Sequence, residues 1–244
     1  MNTALSNHEA FLQDRAYYRD IPRHVLLLPD GSRRYARKHN LTDNDVYEQG
    51  QKLCNEFIHV GLDTFNLDTL SIFFLRPSSF NLQRRNNENL EEILYAINRL
   101  ALDLLKTNFT IGSHTFHLNT ISLAGEEWMK KPHRIANSSA LSYAWDTLRD
   151  TLYKCDRISK QIAKGKQVNF LINYSGTQEL QHVIQGNEPQ LRHEIGVAIR
   201  VGDAFRWSDA PIFSLGQTHM HLIQKFLPDS TTIDFQESLQ RYYT

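Results

Sequence analysis

The sequence predicts one α/β domain with a mostly parallel central sheet flanked by helices on both faces. Three observations point there. Short apolar runs alternate with longer segments whose apolar residues recur at helical spacing, the pattern of strand–helix–strand units. The chain has 244 residues, 41% of them apolar, enough for a single core. It shows no internal repeat, low-complexity tract or linker that would divide it.

The elements follow in order. Residues 1–21 are polar with scattered apolar positions and read as a loose helical extension ahead of a domain over 22–244. Strand candidates are His24–Leu28, Thr69–Leu75, Thr115–Leu123, Val168–Asn173 and Gly196–Arg200. Between the first two, Val46, Gly50, Leu53, Phe57 and Val60 mark a helix. A second helix spans 88–106, where Leu90, Ile93, Leu94, Ile97, Leu100, Ala101 and Leu104 share a face. Ala140–Lys154 is a third, and 177–194 and 233–243 are weaker ones.

Composition excludes several classes. Lys plus Arg and Asp plus Glu are both 27, so no net basic field attracts nucleic acid. Cys54 and Cys155 have neither metal-ligand nor redox spacing and read as reduced and buried. No apolar run approaches membrane-spanning length, and a cytoplasmic protein is expected.

The stretch from His24 to Ala36 carries the most chemistry. A buried strand ends in Pro29-Asp30-Gly31, and Ser32-Arg33-Arg34 opens a helix. A helix start with unbonded N–H groups and flanking arginines is an anion site. Asp30 suits a metal ion bound to that anion, or a hydrogen bond to it. Diphosphate or phosphate handling is the expected chemistry, and an ordinary Asp-Gly turn is the bland alternative. Phosphohydrolases of this type carry a second aspartate two residues on, and here that position is Ser32. In parallel sheets ligands lie beyond the carboxyl ends of the strands. Asp30, Ser78–Arg84, Asn173–Gly176 and Arg200–Ser208 all follow such ends.

These segments resemble the cis-prenyltransferases, which include undecaprenyl diphosphate synthase, over roughly residues 22–243. Asp30-Gly31-Ser32-Arg33-Arg34-Tyr35-Ala36 is similar to the family's Asp-Gly-Asn-Gly/Arg-Arg-Trp-Ala. Ser78, Asn81 and Arg84 match Ser-x-x-Asn-aromatic-x-Arg, with Leu82 at the aromatic position. Asn173-Tyr174-Ser175-Gly176 is similar to Asn-Tyr-Gly-Gly. Ile199-Arg200-Val201-Gly202, with Arg206 and Ser208, is similar to Ile-Arg-Thr-Gly-Gly-x-x-Arg-x-Ser, and Leu227-Pro228-Asp229 echoes a closing Trp-Pro-Asp.

The resemblance implies roles. Asp30, Gly31, Ser32, Arg33, Arg34 and Arg84 would hold the diphosphate of an allylic substrate. Arg200, Arg206 and Ser208 would hold that of the second substrate. Magnesium would bridge Asp30 to diphosphate, Asn81 and Ser78 would steer proton loss, and Asn173 would border the pocket. The helix at 88–106 and Ser71–Leu75 would line an apolar tunnel. A homodimer acting on isoprenoid diphosphates is implied.

The chain departs from the family at four places. A family arginine falls on Asp43 and a family histidine on Tyr47, a pair that resembles the cyclolavandulyl diphosphate synthase branch. Counting without gaps from Arg200, the magnesium-binding glutamate falls on His219. Histidine is a poor ligand for that hard cation. It is suited to accepting a proton near neutral pH, and a bystander histidine is the alternative. Thr-Gly-Gly-Glu becomes Val201-Gly202-Asp203-Ala204, which leaves Asp203 and Asp209 as candidates for the missing carboxylate. The expected function is a short-chain, non-standard prenyltransferase that condenses, and can cyclise, small allylic diphosphates such as dimethylallyl diphosphate. The alternatives are a short-chain synthase using isopentenyl diphosphate, a cyclase of one geranyl or farnesyl diphosphate, and a non-catalytic partner subunit.

Overall fold

The computed structural model describes residues 23–81, 86–122, 131–191, 194–203, 209–211, 215 and 218–242. The expected extension at 1–21 lies outside them. The elements are β1 (His24–Leu28), α1 (Ser32–His39), α2 (Asp43–His59), β2 (Thr69–Leu75), α3 (Asn87–Lys106), β3 (Thr110–Ile111) and β4 (His114–Ile121). They continue with α4 (His133–Ala136), α5 (Ser139–Ile162), β5 (Lys166–Ile172), α6 (Gly176–Ile184), β6 (Val197–Val201), β7 (His219–Ile223) and α7 (Thr232–Gln240).

Seven strands form one sheet in the order β3-β4-β5-β2-β1-β6-β7. Every pairing is parallel except β3 with β4. β1 lies near the centre, and all five of its residues are buried. A continuous apolar run is what a strand covered on both faces requires. Alternation divides its side chains. Val25 and Leu27 join the larger core with residues of α2, α3, α5 and α7. Leu26 and Leu28 join a smaller core with Tyr174, Leu191 and Ile195. The helices are thus unequally shared between the faces.

A buried polar row crosses the sheet. His24 Nε2 lies 2.7 Å from Ser71 Oγ, Asn169 Nδ2 donates to Ser71 Oγ at 2.9 Å, and Asn119 Nδ2 donates to Asn169 Oδ1 at 3.3 Å. These groups satisfy one another inside the sheet, and a register slip would strand them.

Element boundaries differ from the sequence expectation where local signals compete. α5 runs to Ile162, eight residues past Lys154, because Cys155 and Ser159 continue its buried stripe. α6 stops at Ile184, since Gly186 at φ 90° turns the chain away. The strand over 115–123 starts at His114, paired with the short β3 through Gly112. β7 was not among the expected strands: it is an edge strand whose HMHLI sequence lacks a continuous apolar run. Both cysteines are buried and unbridged, and burial pushes each thiol up to about 12.

Candidate active site

The site starts where β1 ends. Pro29 stops the strand, and Gly31 takes φ 96° to swing the chain into α1. A Cβ at Gly31 would lie 2.7 Å from the Phe226 ring, so that position requires glycine on two counts. α2, α3, α5, α6 and α7 each begin with a side chain that accepts a first-turn N–H. α1 begins at Gly31 with no such cap. Its first N–H groups therefore face the mouth of a cavity and not a capping side chain.

Asp30 is held from three directions. Its Oδ1 accepts the Gly31 N–H at 2.7 Å. Its Oδ2 forms a close ion pair with Arg200, from the adjacent β6. Arg34 Nη2, one turn along α1, lies 3.2 Å from the same oxygen. Arg34 also pairs closely with Asp203 beyond β6. Gly202, at φ 141°, lets the backbone pass Asp30: a Cβ there would sit 3.3 Å from Asp30 Cβ. The result is an alternating row, Arg200–Asp30–Arg34–Asp203, of two cations and two anions.

Beyond this row lies a cavity of about 360 Å³. Pro29, Asp30, Gly31, Ser32, Arg33, Arg34 and Arg37 form its polar end. α2 supplies Tyr47, Gly50, Gln51 and Cys54, α3 supplies Ile93, Ala96, Ile97 and Leu100, and Phe74 and Leu227 complete the wall. Gly50 and Ala96 leave the space by having little side chain. Gln51 Nε2 donates across the helix pair to Asp103 at 2.8 Å. Asn89 Nδ2 donates to Tyr47 Oη at 2.9 Å and to Asp43 at 2.8 Å, which holds both substituted positions against α3. A charged mouth over an apolar slot suits an amphiphile with an anionic head and a hydrocarbon tail.

The expected site residues divide into groups. Asp30, Gly31, Ser32, Arg33, Arg34 and Tyr47 line the cavity, and Arg200 touches Asp30. Ser78 and Asn81 follow β2 at the same end of the sheet but do not line it. Asn173 does not line it either: at φ 54° it turns the chain so that Ser175 caps α6 and Tyr174 buries its hydroxyl against Glu179. Arg84, Arg206 and Ser208 lie outside the described residues. His219 requires a correction as a catalytic residue of its own chain's site. It opens β7 opposite Val197, whereas Leu28 aligns with Arg200 and Leu222. That separation is three residues, at least about 10 Å along the strands, toward the end away from Asp30. There His219 is exposed and meets the Tyr242 ring edge-on.

Of the two candidate carboxylates, Asp203 shares Arg34 with Asp30. Asp209 instead accepts from Thr177 N and Oγ1, at 3.0 and 2.9 Å, at the start of α6. Arg37, Gln51 and Cys54 were not expected in the site, whereas Phe74 lies in the Ser71–Leu75 segment expected to line the tunnel. Arg37 was detectable as the i+4 partner of Arg33, and Gln51 and Cys54 as the i+4 and i+7 positions from Tyr47 on one helical face.

A parallel α/β fold with a strand-end carboxylate, an arginine-rich mouth and an apolar slot suits an enzyme whose substrate has an anionic head and an apolar tail. A family model described as "Putative undecaprenyl diphosphate synthase" matches residues 28–244. The chain belongs to that family and is an enzyme of the prenyltransferase type. It is 23% identical to a tritrans,polycis-undecaprenyl-diphosphate synthase (geranylgeranyl-diphosphate specific) of Sulfurisphaera tokodaii, over 91% of this chain and 85% of the relative. It is 22% identical to an isoprenyl transferase of Rickettsia typhi, over 90% of this chain and 94% of the relative. Lavandulyl diphosphate synthase from Lavandula x intermedia, solved with dimethylallyl diphosphate, shares the fold with TM-score 0.72 and 18% identity, covering 91% and 95% of the two chains. A probable undecaprenyl diphosphate synthase from Campylobacter jejuni shares it with TM-score 0.61 and 16% identity, with the same coverages.

Proposed function

We propose that this chain is a short-chain, non-standard prenyl diphosphate synthase that joins small allylic diphosphates, dimethylallyl diphosphate first among them, into a branched or cyclic product. The observation that supports the short chain is the extent of the cavity walls, and the likeness to lavandulyl diphosphate synthase supports the non-standard joining. The walls run from Tyr47 to Cys54 on α2 and from Ile93 to Leu100 on α3. Seven residues of helix span about 10 Å. An isoprene unit spans about 5 Å at carbon–carbon bonds of about 1.5 Å. The slot suits a tail of about two units, far short of an undecaprenyl chain.

The chemistry follows from the mouth. The allylic C–O bond breaks, diphosphate leaves with the electron pair, and a double bond of the second substrate forms the new C–C bond and loses a proton. Negative charge grows on the leaving oxygen beside the α1 N–H groups and the arginines, which lowers the barrier through fixed donors. Tyr47 and Phe74 line the cavity, and an aromatic ring beside an allylic cation would stabilise it. Asn89 orients Tyr47.

Magnesium belongs to the same proposal. Among the described residues no three His, Cys, Asp or Glu side chains form a metal cage. Asp30 at the mouth offers hard oxygen, and magnesium commonly takes one or two carboxylates plus substrate phosphates. Asp30 would hold it, with Asp203 the nearer second carboxylate. When bound, the ion neutralises charge on the leaving diphosphate. A homodimer and a cytoplasmic location are proposed on the family resemblance. Among the described residues no helix is long and apolar enough to cross a membrane.

The test is to incubate the purified protein with dimethylallyl, isopentenyl, geranyl and farnesyl diphosphates and magnesium, and to identify products by mass spectrometry. A ten-carbon branched or cyclic diphosphate from dimethylallyl diphosphate alone is expected. A product formed only with isopentenyl diphosphate would establish a regular synthase, turnover of geranyl or farnesyl diphosphate alone a cyclase, and no turnover a non-catalytic subunit.

A further inference from the structure

The cationic mouth is not uniform. Arg34 lies between Asp30 and Asp203, and Arg200 is buried against Asp30. Those four groups carry no net charge. A substrate diphosphate brings several negative charges and needs cations outside that row.

Arg37 is such a cation. It lies on α1 one turn beyond Arg33, and both line the cavity. Among the described residues Arg37 makes no ion pair or hydrogen bond. Like charges four residues apart weaken a helix by a few tenths of a kcal/mol unless an anion lies between them. A basic residue in a last helical turn ordinarily serves the helix dipole. Lys38 and His39 already occupy that turn, and neither lines the cavity. Lys38 instead lies over the Phe226 ring, 5.9 Å from its centroid.

We propose that Arg37 is a diphosphate-binding residue that, with Arg33, grips the terminal phosphate while the α1 N–H groups take the phosphate nearer the tail. This rests on the prenyl diphosphate reading of the site. It divides the arginines by task. Arg34 and Arg200 hold Asp30 in place, and Arg37 supplies charge from outside that row. A guanidinium suits that task because its fork meets two phosphate oxygens at once.

Calorimetric titration of the intact protein with inorganic diphosphate tests this without turnover. Arg37→Ala should weaken binding about tenfold to a hundredfold, the range for losing a hydrogen-bonded charge. Arg37→Lys should recover part of the loss, and Lys38→Ala should bind like the wild type. Thermal melts of Arg37→Ala should match the wild type, since the residue is exposed. With dimethylallyl diphosphate as substrate, Arg37→Ala should raise KM more than it lowers kcat. Wild-type affinity in Arg37→Ala overturns the proposal and leaves the prenyl diphosphate reading intact. An equal loss in Lys38→Ala also overturns it, because the effect is then a general field. A wild-type protein that does not bind diphosphate overturns both.

Discussion

Asp30 and Arg200, 170 residues apart in sequence, form an ion pair in which the guanidinium is almost wholly buried and the carboxylate keeps a third of its surface. The pair joins the segment that follows β1 to strand β6 in one structure. It also gives Asp30 a structural duty beyond its chemistry.

Asp30→Ala is therefore expected to fail twice. Turnover should fall by several orders of magnitude with the loss of the mouth's carboxylate. The fold should also lose about 1–3 kcal/mol, because the buried Arg200 guanidinium loses its ion pair with Asp30. That is below the figure for a fully buried pair, since solvent screens Asp30. Asp30→Ala with Arg200→Met should regain the stability and not the activity. Chemical denaturation of the single and double variants checks this; a single variant as stable as wild type would show that Arg200 finds another partner.

Gly31→Ala should cost about 1–3 kcal/mol, through positive φ and the close approach of Phe226. Turnover should drop with it, because the Gly31 N–H that holds Asp30 Oδ1 moves. Gly165→Ala is the control: its φ of 85° is equally unfavourable, but nothing lies within 4 Å of its Cβ. Denaturation should show the larger loss at Gly31, and only that variant should lose activity.

Cavity depth should govern tail length. Ala96→Leu fills the slot between α2 and α3 and should abolish use of geranyl diphosphate before dimethylallyl diphosphate. Leu100→Ala deepens the slot, should admit longer tails, and should cost about 2–5 kcal/mol. Relative kcat/KM across the allylic series measures both, and unchanged selectivity would place the tail elsewhere.

His219→Glu should leave magnesium dependence and product unchanged, since the residue opens β7 at the far end of the sheet. A magnesium titration with product analysis decides this. A changed metal response would bring His219 to a site through a second copy of the chain.

Alkaline stability should report on Tyr174. Burial, and then the Glu179 carboxylate, raise its pKa above the usual phenol range. The folded chain therefore keeps a proton that the unfolded chain releases near pH 10. This contribution is complete below pH 10 and declines as pH rises above it, by about 1.4 kcal/mol per unit. Urea melts between pH 8 and 11 should show a steeper decline for wild type than for Tyr174→Phe. Parallel curves would mean that the phenol ionises in the folded state.

Short-range pattern carried most of the architecture. The apolar run at β1 needs cover on both faces, and the stripe from Leu90 to Leu104 needs one buried face. Each requirement is met within one turn or one strand, so it is visible in the order of residues. The Asp-Gly-Ser-Arg-Arg segment was legible for the same reason, because strand end, turn and helix start are contiguous. Distance across the sheet is not written in that order. Arg200 meets Asp30, and His219 does not, because parallel register aligns Leu28 with Arg200 and leaves His219 three residues behind. Gly50 and Ala96 make a cavity only because α2 and α3 pack side by side, and Asp203 stands apart from Asp209 only because Arg34 reaches one of them. Those outcomes depend on which surfaces the folded chain brings together, a balance of many long-range contacts that no local run of residues specifies.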